Sequence, residues 1–292
     1  AGRGRIHDAS GATLALDLDT KDVIVDPQRV LENGQAQAVA RQLSVALGIP
    51  LDKVESRVNR PGRRYEYIKK YVRHDQFEQI ERMKLAGVFM EDSSARYYPH
   101  DAMLCHVIGF ANLASDGCAG IELKLDKELK GTSGFLVSKR DGRRREVYRL
   151  RTVDIAAESG CDVHLTVDVH VQYVVEQALQ NVVHEHNAKS AWAVVQEVKT
   201  GRILAMASLP SFSLNEYRSM HEDQLLNRVI GYTYEPGSTM KAAVIAAAFN
   251  EGVVTESMMV DCERGTWFYQ RRPLRDFHPY GLLSVPDVLK KS

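Results

Sequence analysis

The stretch Tyr234-Glu235-Pro236-Gly237-Ser238-Thr239-Met240-Lys241 sets a serine and a lysine three residues apart where a helix is due to begin. Pro236 and Gly237 punctuate the chain, and Ala242 through Phe249 continue as a run rich in strong helix formers. Residues i and i+3 of a helix share a face, about 5–6 Å apart at Cβ, so the Lys241 amine is within reach of the Ser238 hydroxyl. The spacing predicts a nucleophile beside its base. A lysine must be neutral to accept a proton, and a helix apolar on every side is expected to be buried, which disfavours the ammonium form. Roughly one S-x-x-K is expected by chance in a chain of this length. The Pro-Gly entry and the apolar helix behind it raise this one above that background.

Outward from the motif, 292 residues give room for two domains, and 44% hydrophobic with 26% charged residues is the composition of a globular protein. Lys+Arg and Asp+Glu balance at 38 each, so no large field draws in nucleic acid, and no nucleic-acid partner is expected. No run approaches the ~18 apolar residues of a transmembrane helix. The chain reads as a trimmed piece whose anchor would lie upstream. Cys105, Cys118, Cys161 and Cys262 have neither metal-site spacing nor the density of a disulfide scaffold. His184 and His186 face different sides of their helix and read as charges near its C-terminus, so no metal or cofactor is expected.

Along the chain, Ala12 to Asp17 reads as a strand. Helices are expected over 33–47, with Val39, Leu43 and Leu47 inward, and over 75–85, with Phe77, Ile80 and Met83 inward. Basic stretches at 57–73 and 139–151 read as solvated faces, the second as a ribbon turning at Asp141-Gly142. The composition turns polar over 152–161, which predicts a hinge and a domain boundary. Residues 162–167 alternate as a strand, and Asp168 can cap a helix whose apolar positions are Val171, Val174, Val175, Ala178, Leu179 and Val182. Trp192 to Val198 and Ile203 to Ala207 form the arms of a hairpin turning at Lys199-Thr200-Gly201-Arg202.

Several segments carry a resemblance: Arg3-Gly4-Arg5-Ile6-His7-Asp8, Arg96-Tyr97-Tyr98-Pro99, His106-Val107-Ile108-Gly109-Phe110 and Gly120-Ile121-Glu122. Further on come Leu165-Thr166-Val167-Asp168, Thr200-Gly201-Arg202-Ile203-Leu204-Ala205-Met206, Asn227-Arg228 and the serine motif itself. With these, nearly end to end, the chain resembles a class B penicillin-binding protein, a peptidoglycan D,D-transpeptidase, most closely the septal type; S-x-x-K is a known signature of penicillin-binding proteins. The resemblance implies an α+β chain: a non-catalytic dimerisation or pedestal domain over residues 1–158, then part of a serine β-lactamase-like transpeptidase domain over 159–292. It implies a periplasmic protein held in the bacterial inner membrane by one N-terminal helix absent from this sequence. Asp101 stands where the family has glycine after Tyr-Pro.

Of the family's three active-site motifs, S-x-x-K, S-x-N and K-T-G in that order, only the first is complete. Lys199-Thr200-Gly201 spells the third but precedes the nucleophile and reads as a turn, while Ser292 falls where the S-x-N serine belongs. The resemblance makes Ser238 the nucleophile, Lys241 the base and Ser292 a proton relay. The implied partners are a stem pentapeptide ending in D-Ala-D-Ala, β-lactam antibiotics, a polytopic membrane glycan polymerase and other divisome proteins. The alternative is an inactive scaffold that docks divisome partners through the pedestal. An incomplete domain is further expected to leave an apolar surface around Val244 to Phe249 uncovered and to hold half an active site.

Overall fold

A computed structural model of the chain describes residues 1–138 and 148–291, in two compact units divided between Tyr232 and Thr233. The first unit is organised on one long strand. After β1 (Ile6–His7), β2 runs from Thr13 to Val25 and pairs antiparallel with β1. Then come α1 (Pro27–Glu32), α2 (Ala36–Leu47), α3 (Leu51–Val58), β3 (Glu66–Val72), α4 (His74–Met83) and β4 (Val88–Tyr97). Strand β2 carries β3 and β4 as well, with β4 in register from Leu16↔Tyr97 to Val25↔Val88. It extends well past the predicted Asp17 because its aspartates have partners: Asp17 accepts from the Arg3 N–H, and Asp22 accepts from the Tyr71 N–H and the Ser93 hydroxyl.

Helices α2, α3 and α4 pack on this sheet around Val23, Val39, Leu43, Leu47, Val54 and Ile68. The stripe expected on α2 is buried, and Gly48 ends the helix in the left-handed conformation with φ 63°. In the basic stretch 57–73, Arg60, Arg63, Arg64, Lys70 and Arg73 are exposed, as expected of a solvated face, while Arg57 and Lys69 are half-buried. Arg57 donates to the Tyr67 and Ile68 carbonyls, Lys69 donates to the Leu47 carbonyl at the end of α2, and Arg60 pairs with Glu66. A cation at a helix C-terminus satisfies both an orphan carbonyl and the helix dipole.

Helices α5 (Cys105–Ile108), α6 (Gly120–Lys124) and α7 (Asp126–Leu129) follow, then the ribbon strands β5 (Phe135–Val137) and β6 (Val153–Ile155), and β7 (Val163–His164). The predicted Asp141-Gly142 turn lies outside the described residues. In the turn before α5, Asp101 takes φ 47°, where the family's glycine would be at ease. Its carboxylate accepts from the Ser213 hydroxyl at 2.6 Å and from the Asn215 side chain at 3.1 Å, which secures an aspartate in a conformation that short polar residues tolerate.

Buried Glu122 on α6 is the hub of this region. Its carboxylate accepts from Arg3 Nε at 2.6 Å, from Arg96 Nε at 2.7 Å and from the Tyr98 hydroxyl at 3.3 Å. Arg3 continues to Asp126 at 2.7 Å, and Arg96 to Asp17 at 3.2 Å. Burial works against the Arg3 cation, but Glu122 and Asp126 overcome it and hold the guanidinium above its ordinary pKa.

The stretch 152–161, expected to be a hinge, is fastened to the start of the chain instead. Gly160 N–H donates to the Gly2 carbonyl at 3.0 Å, Cys161 N–H to Glu128 at 2.8 Å, and Val163 N–H to Arg5 at 2.8 Å. The contact is close enough that a Cβ on Gly160 would lie 1.8 Å from the Leu129 carbonyl oxygen. Most of the stretch is nonetheless exposed, with only Val153 and Gly160 half-buried. Strand β7 then pairs parallel with β1.

Next come α8 (Val169–His186), β8 (Ala191–Gln196), β9 (Ile203–Leu209) and α9 (Arg228–Gly231). Asp168 caps α8 as predicted, accepting from the His170 and Val171 N–H groups, and β8 with β9 forms the predicted hairpin. The inward face of α8 differs from the prediction. Gln172 is fully buried, whereas Val174 is 65% and Val182 45% exposed. The Gln172 amide donates to the Met206 carbonyl at 3.0 Å and accepts from the Met206 N–H at 2.8 Å, so it stands in for a neighbouring strand along β9. That polar pairing sets the rotation of the helix.

The second unit contains a 3₁₀ turn at Gly237–Thr239, α10 (Met240–Asn250), β10 (Met259–Asp261), the hairpin β11 (Thr266–Tyr269) with β12 (Arg272–Arg275), β13 (Leu282–Ser284) paired with β10, and α11 (Val285–Lys290). Helix α10 buries none of its residues, and Val244 is 57% exposed, so the uncovered apolar surface expected around Val244 to Phe249 is present. Ser284 caps α11, its hydroxyl accepting from the Asp287 N–H.

The first unit's polar contacts can be tested by substitution. Glu122→Gln leaves two buried guanidinium groups short of a counter-charge and should cost about 3–5 kcal/mol in denaturant unfolding. Asp75→Asn, at the exposed Arg73–Asp75 pair, should leave the unfolding midpoint in place. Burial raises the Glu176 carboxyl above its ordinary pKa, although Gln172 and the Leu104 N–H pull it down. A raised carboxyl contributes stability that is present below the unfolded value and lost as pH rises through the folded one. The melting temperature of Glu176→Gln relative to the parent should therefore increase from pH ~4.5 upward; a constant difference across that range would exclude Glu176 as a source of the pH dependence.

Candidate active site

Ser238 sits at the centre of the 3₁₀ turn Gly237–Thr239, entered through Gly237 at φ 56°, a left-handed conformation that glycine adopts without a Cβ penalty. The Thr239 hydroxyl donates to the Pro236 carbonyl, and the Met240 N–H bonds to the Gly237 and Ser238 carbonyls, which ties the turn to the first turn of α10. Lys241 is the second residue of that helix. The predicted pair meets in space: Ser238 and Lys241 line one cavity of about 330 Å³.

Arg275, Asp276, His278 and Lys291 join them in the wall. These four escaped the sequence reading, which singled out only Ser292 beyond the apolar helix. The available signal was the pair of short runs Thr266–Tyr269 and Arg272–Arg275, separated by two residues, which marks a hairpin. Gln270 and Arg271 both take positive φ there, at 47° and 65°, the backbone of a tight two-residue turn built without glycine. The hairpin delivers Arg275 and Asp276 to the cavity, and the end of α11 delivers Lys291. Ser292, the expected proton relay, lies outside the described residues.

One expectation about the site fails. Lys241 is exposed, not buried; within its unit α10 packs chiefly against its own entry turn and α11. Ser238 and Lys241 therefore share a cavity without the dry surroundings expected of them. Lys199-Thr200-Gly201 occupies the exposed turn between β8 and β9, with Gly201 at φ 75°. Among the cysteines, burial pushes the Cys105 thiol up to about 12, so it behaves as a core residue and not as a nucleophile.

Residues 1–165 match the penicillin-binding protein dimerisation domain, and residues 191–292 match the penicillin-binding protein transpeptidase domain. The chain is 33% identical over 293 aligned positions to the peptidoglycan D,D-transpeptidase FtsI of Escherichia coli, covering 99% of this chain and 49% of that protein. It is 30% identical to the probable peptidoglycan D,D-transpeptidase PenA of Neisseria meningitidis, covering 100% and 50%, respectively. Stage V sporulation protein D of Bacillus subtilis is 30% identical over 253 positions, 85% of this chain and 38% of that protein. The chain thus spans about half the length of the curated relatives it matches most fully. In fold it is similar to a crystallised peptidoglycan synthetase of Bifidobacterium adolescentis, with a TM-score of 0.67 at 24% identity over 99% of this chain and 57% of that one. A penicillin-binding protein 2X of Streptococcus thermophilus gives a TM-score of 0.65 at 22% identity over 95% and 44%. The chain belongs to the class B penicillin-binding proteins, with a dimerisation domain ahead of a transpeptidase domain.

Proposed function

We propose that this protein is a peptidoglycan D,D-transpeptidase of septal cell-wall synthesis that works through an acyl-enzyme on Ser238. The observation that carries the reading is the placement of Ser238 and Lys241 on one cavity at a helix start. The Ser238 hydroxyl attacks the carbonyl of the penultimate D-alanine of a stem pentapeptide while neutral Lys241 takes its proton. The Ser238 N–H is a donor for the oxyanion that develops on that carbonyl. Collapse of the tetrahedral intermediate expels D-alanine, whose nitrogen receives a proton, and leaves the acyl group on Ser238. An amine from a neighbouring stem then attacks the ester, loses a proton and releases the serine as the cross-link forms. Ser292 is assigned the relay that moves protons between Lys241 and the departing or arriving amine. A β-lactam presents a strained amide to the same hydroxyl and stays on it as an ester.

With this reading go a pedestal over residues 1–158, a transpeptidase part from 159 onward, a single N-terminal membrane anchor, a periplasmic location, and partners among the divisome proteins, including a polytopic glycan polymerase. The test is labelled penicillin on the full-length protein followed by peptide mapping. Label should fall on Ser238 and vanish in Ser238→Ala; label elsewhere, or label that survives the substitution, would remove Ser238 from its role and leave a scaffold that docks divisome partners. Lys241→Arg keeps the charge but cannot supply a neutral base, so acylation should fall about 10²-fold or more. Near-parental acylation in that variant would reduce the lysine to an electrostatic aid.

A further inference from the structure

Among the described residues the ribbon β5–β6 is a two-stranded sheet that pairs with no other strand. Directly opposite residues of an antiparallel pair share a face, and every second residue along a strand returns to it. Phe135 opposite Ile155 and Val137 opposite Val153 therefore put four apolar side chains on one side, while Leu136 and Asp154 lie on the other. Phe135 and Ile155 are each 60% exposed and Val137 38%. The 3₁₀ turn that leads into β6 leaves Tyr148 72% exposed and Arg149 exposed, with the Arg151 guanidinium 4.7 Å from the Tyr148 ring centroid. By sequence, the stretch 139–151 that joins the strands holds lysine or arginine at seven positions against Asp141 and Glu146.

A two-stranded ribbon is marginal in water, and one with an apolar face is stabilised by whatever covers it. The face amounts to a few hundred Å², well below the ~800 Å² per partner of a standard protein interface. A bilayer surface requires less: a few apolar and aromatic side chains at the acyl boundary, and cations that meet anionic headgroups. We propose that this face docks on an anionic phospholipid bilayer, with Phe135, Val137 and Ile155 against the acyl boundary and the basic residues beside them among the headgroups. Its placement agrees. Thr132 and Glu158 exchange backbone hydrogen bonds of 2.8 and 2.9 Å at the root of the ribbon, and the Gly160 N–H donates to the Gly2 carbonyl at 3.0 Å. The ribbon thus leaves the domain beside residue 2, on the side where the membrane anchor proposed above would join the chain. That agreement rests on the anchor reading; the ribbon's own affinity for lipid does not.

The test is co-sedimentation of the 292-residue chain with phosphatidylcholine vesicles made with and without phosphatidylglycerol. The parent should bind the mixed vesicles about tenfold more tightly than the neutral ones, and rising salt should shrink the difference. Phe135→Ser combined with Ile155→Ser should lower binding to the mixed vesicles about tenfold, as expected when two large apolar side chains leave the interface, while the melting temperature holds because both positions are exposed. Arg149→Glu reverses one exposed charge and should lower binding to the mixed vesicles alone, about fivefold. Val244→Ser, on the exposed apolar surface of α10, is the control and should bind as the parent does. Absence of binding by the parent, or parental binding in both the double serine variant and Arg149→Glu, overturns the proposal. Loss of binding in Val244→Ser in their place assigns the lipid contact to α10 and overturns it as well, as does a fall in oligomeric mass of the double serine variant without loss of vesicle binding, which assigns the face to a second copy of the chain. None of these outcomes bears on the anchor, which is tested separately by whether the full-length protein stays with membranes through a high-salt wash.

Discussion

A fully buried carboxylate gripped by two arginines and a tyrosine is the constraint on which the first unit depends. Ions removed from water lose several kcal/mol of hydration each, and the attraction between them compensates only where geometry and hydrogen bonding are nearly complete. Glu122 comes close to that state, with Arg3, Arg96 and Tyr98 on its oxygens and the Arg3 guanidinium also donating to its backbone carbonyl. Arg96 Nη2 is the single buried side-chain nitrogen or oxygen without a partner among the described residues. The cluster joins the start of the chain, β2, β4, α6 and α7. None of these can shift without exposing a charge to an apolar neighbour.

The position of the chain's start has consequences far along the sequence. With Arg3 fixed, β1 lies where β7 can pair with it in parallel, and β7 leads within a few residues to the Asp168 cap of α8. Asp8 ties the same place from the other side, since its carboxylate accepts from the Val169 N–H at 3.1 Å. Although burial opposes it, Ser10 and the backbone N–H groups of Val169, Ala12 and Ser10 hold the Asp8 carboxyl below its ordinary pKa. One hydrophobic cluster then includes Ile6, Leu14, Tyr98 and Ile108 together with Phe212 and Leu214. Residues from the dimerisation match and from the transpeptidase match thus share a core within the first unit.

What was legible in the sequence was whatever local chemistry decides. The α2 stripe, the Asp168 cap and the hairpin at Gly201 each depend on a few neighbouring residues, and each formed where expected. The failures share a different cause. The strand expected to end at Asp17 continues to Val25, and along it Asp17 and Asp22 accept hydrogen bonds from segments tens of residues away. Polar composition over 152–161 suggested a hinge, but backbone groups of Thr152, Glu158, Gly160 and Cys161 bond to residues 137, 132, 2 and 128, respectively. On α8 the hydrophobicity count placed Val171, Val175 and Leu179 on the half-buried side but also named Val174, Ala178 and Val182, which are exposed, and missed buried Gln172, whose amide satisfies a strand backbone. Hydrogen bonds left unmade in a core are costly, and periodicity of apolar residues carries no information about them.

The active-site pair divides along the same line. The placement of Ser238 and Lys241 on one cavity is local to the turn and the start of α10, which the Gly237 entry and the Thr239 and Met240 hydrogen bonds tie together. Desolvation of the lysine is a property of everything packed around α10, and in its unit that helix is covered on little of its circumference. Electrostatic effects in the cavity are correspondingly closer to their values in water than to those in a dry interior, where the same charges interact severalfold more strongly. A helix so uniformly apolar has one stable destination, enclosure on all sides. The turn therefore places Ser238 and Lys241 on one cavity, whereas the enclosure of α10 depends on what packs around it.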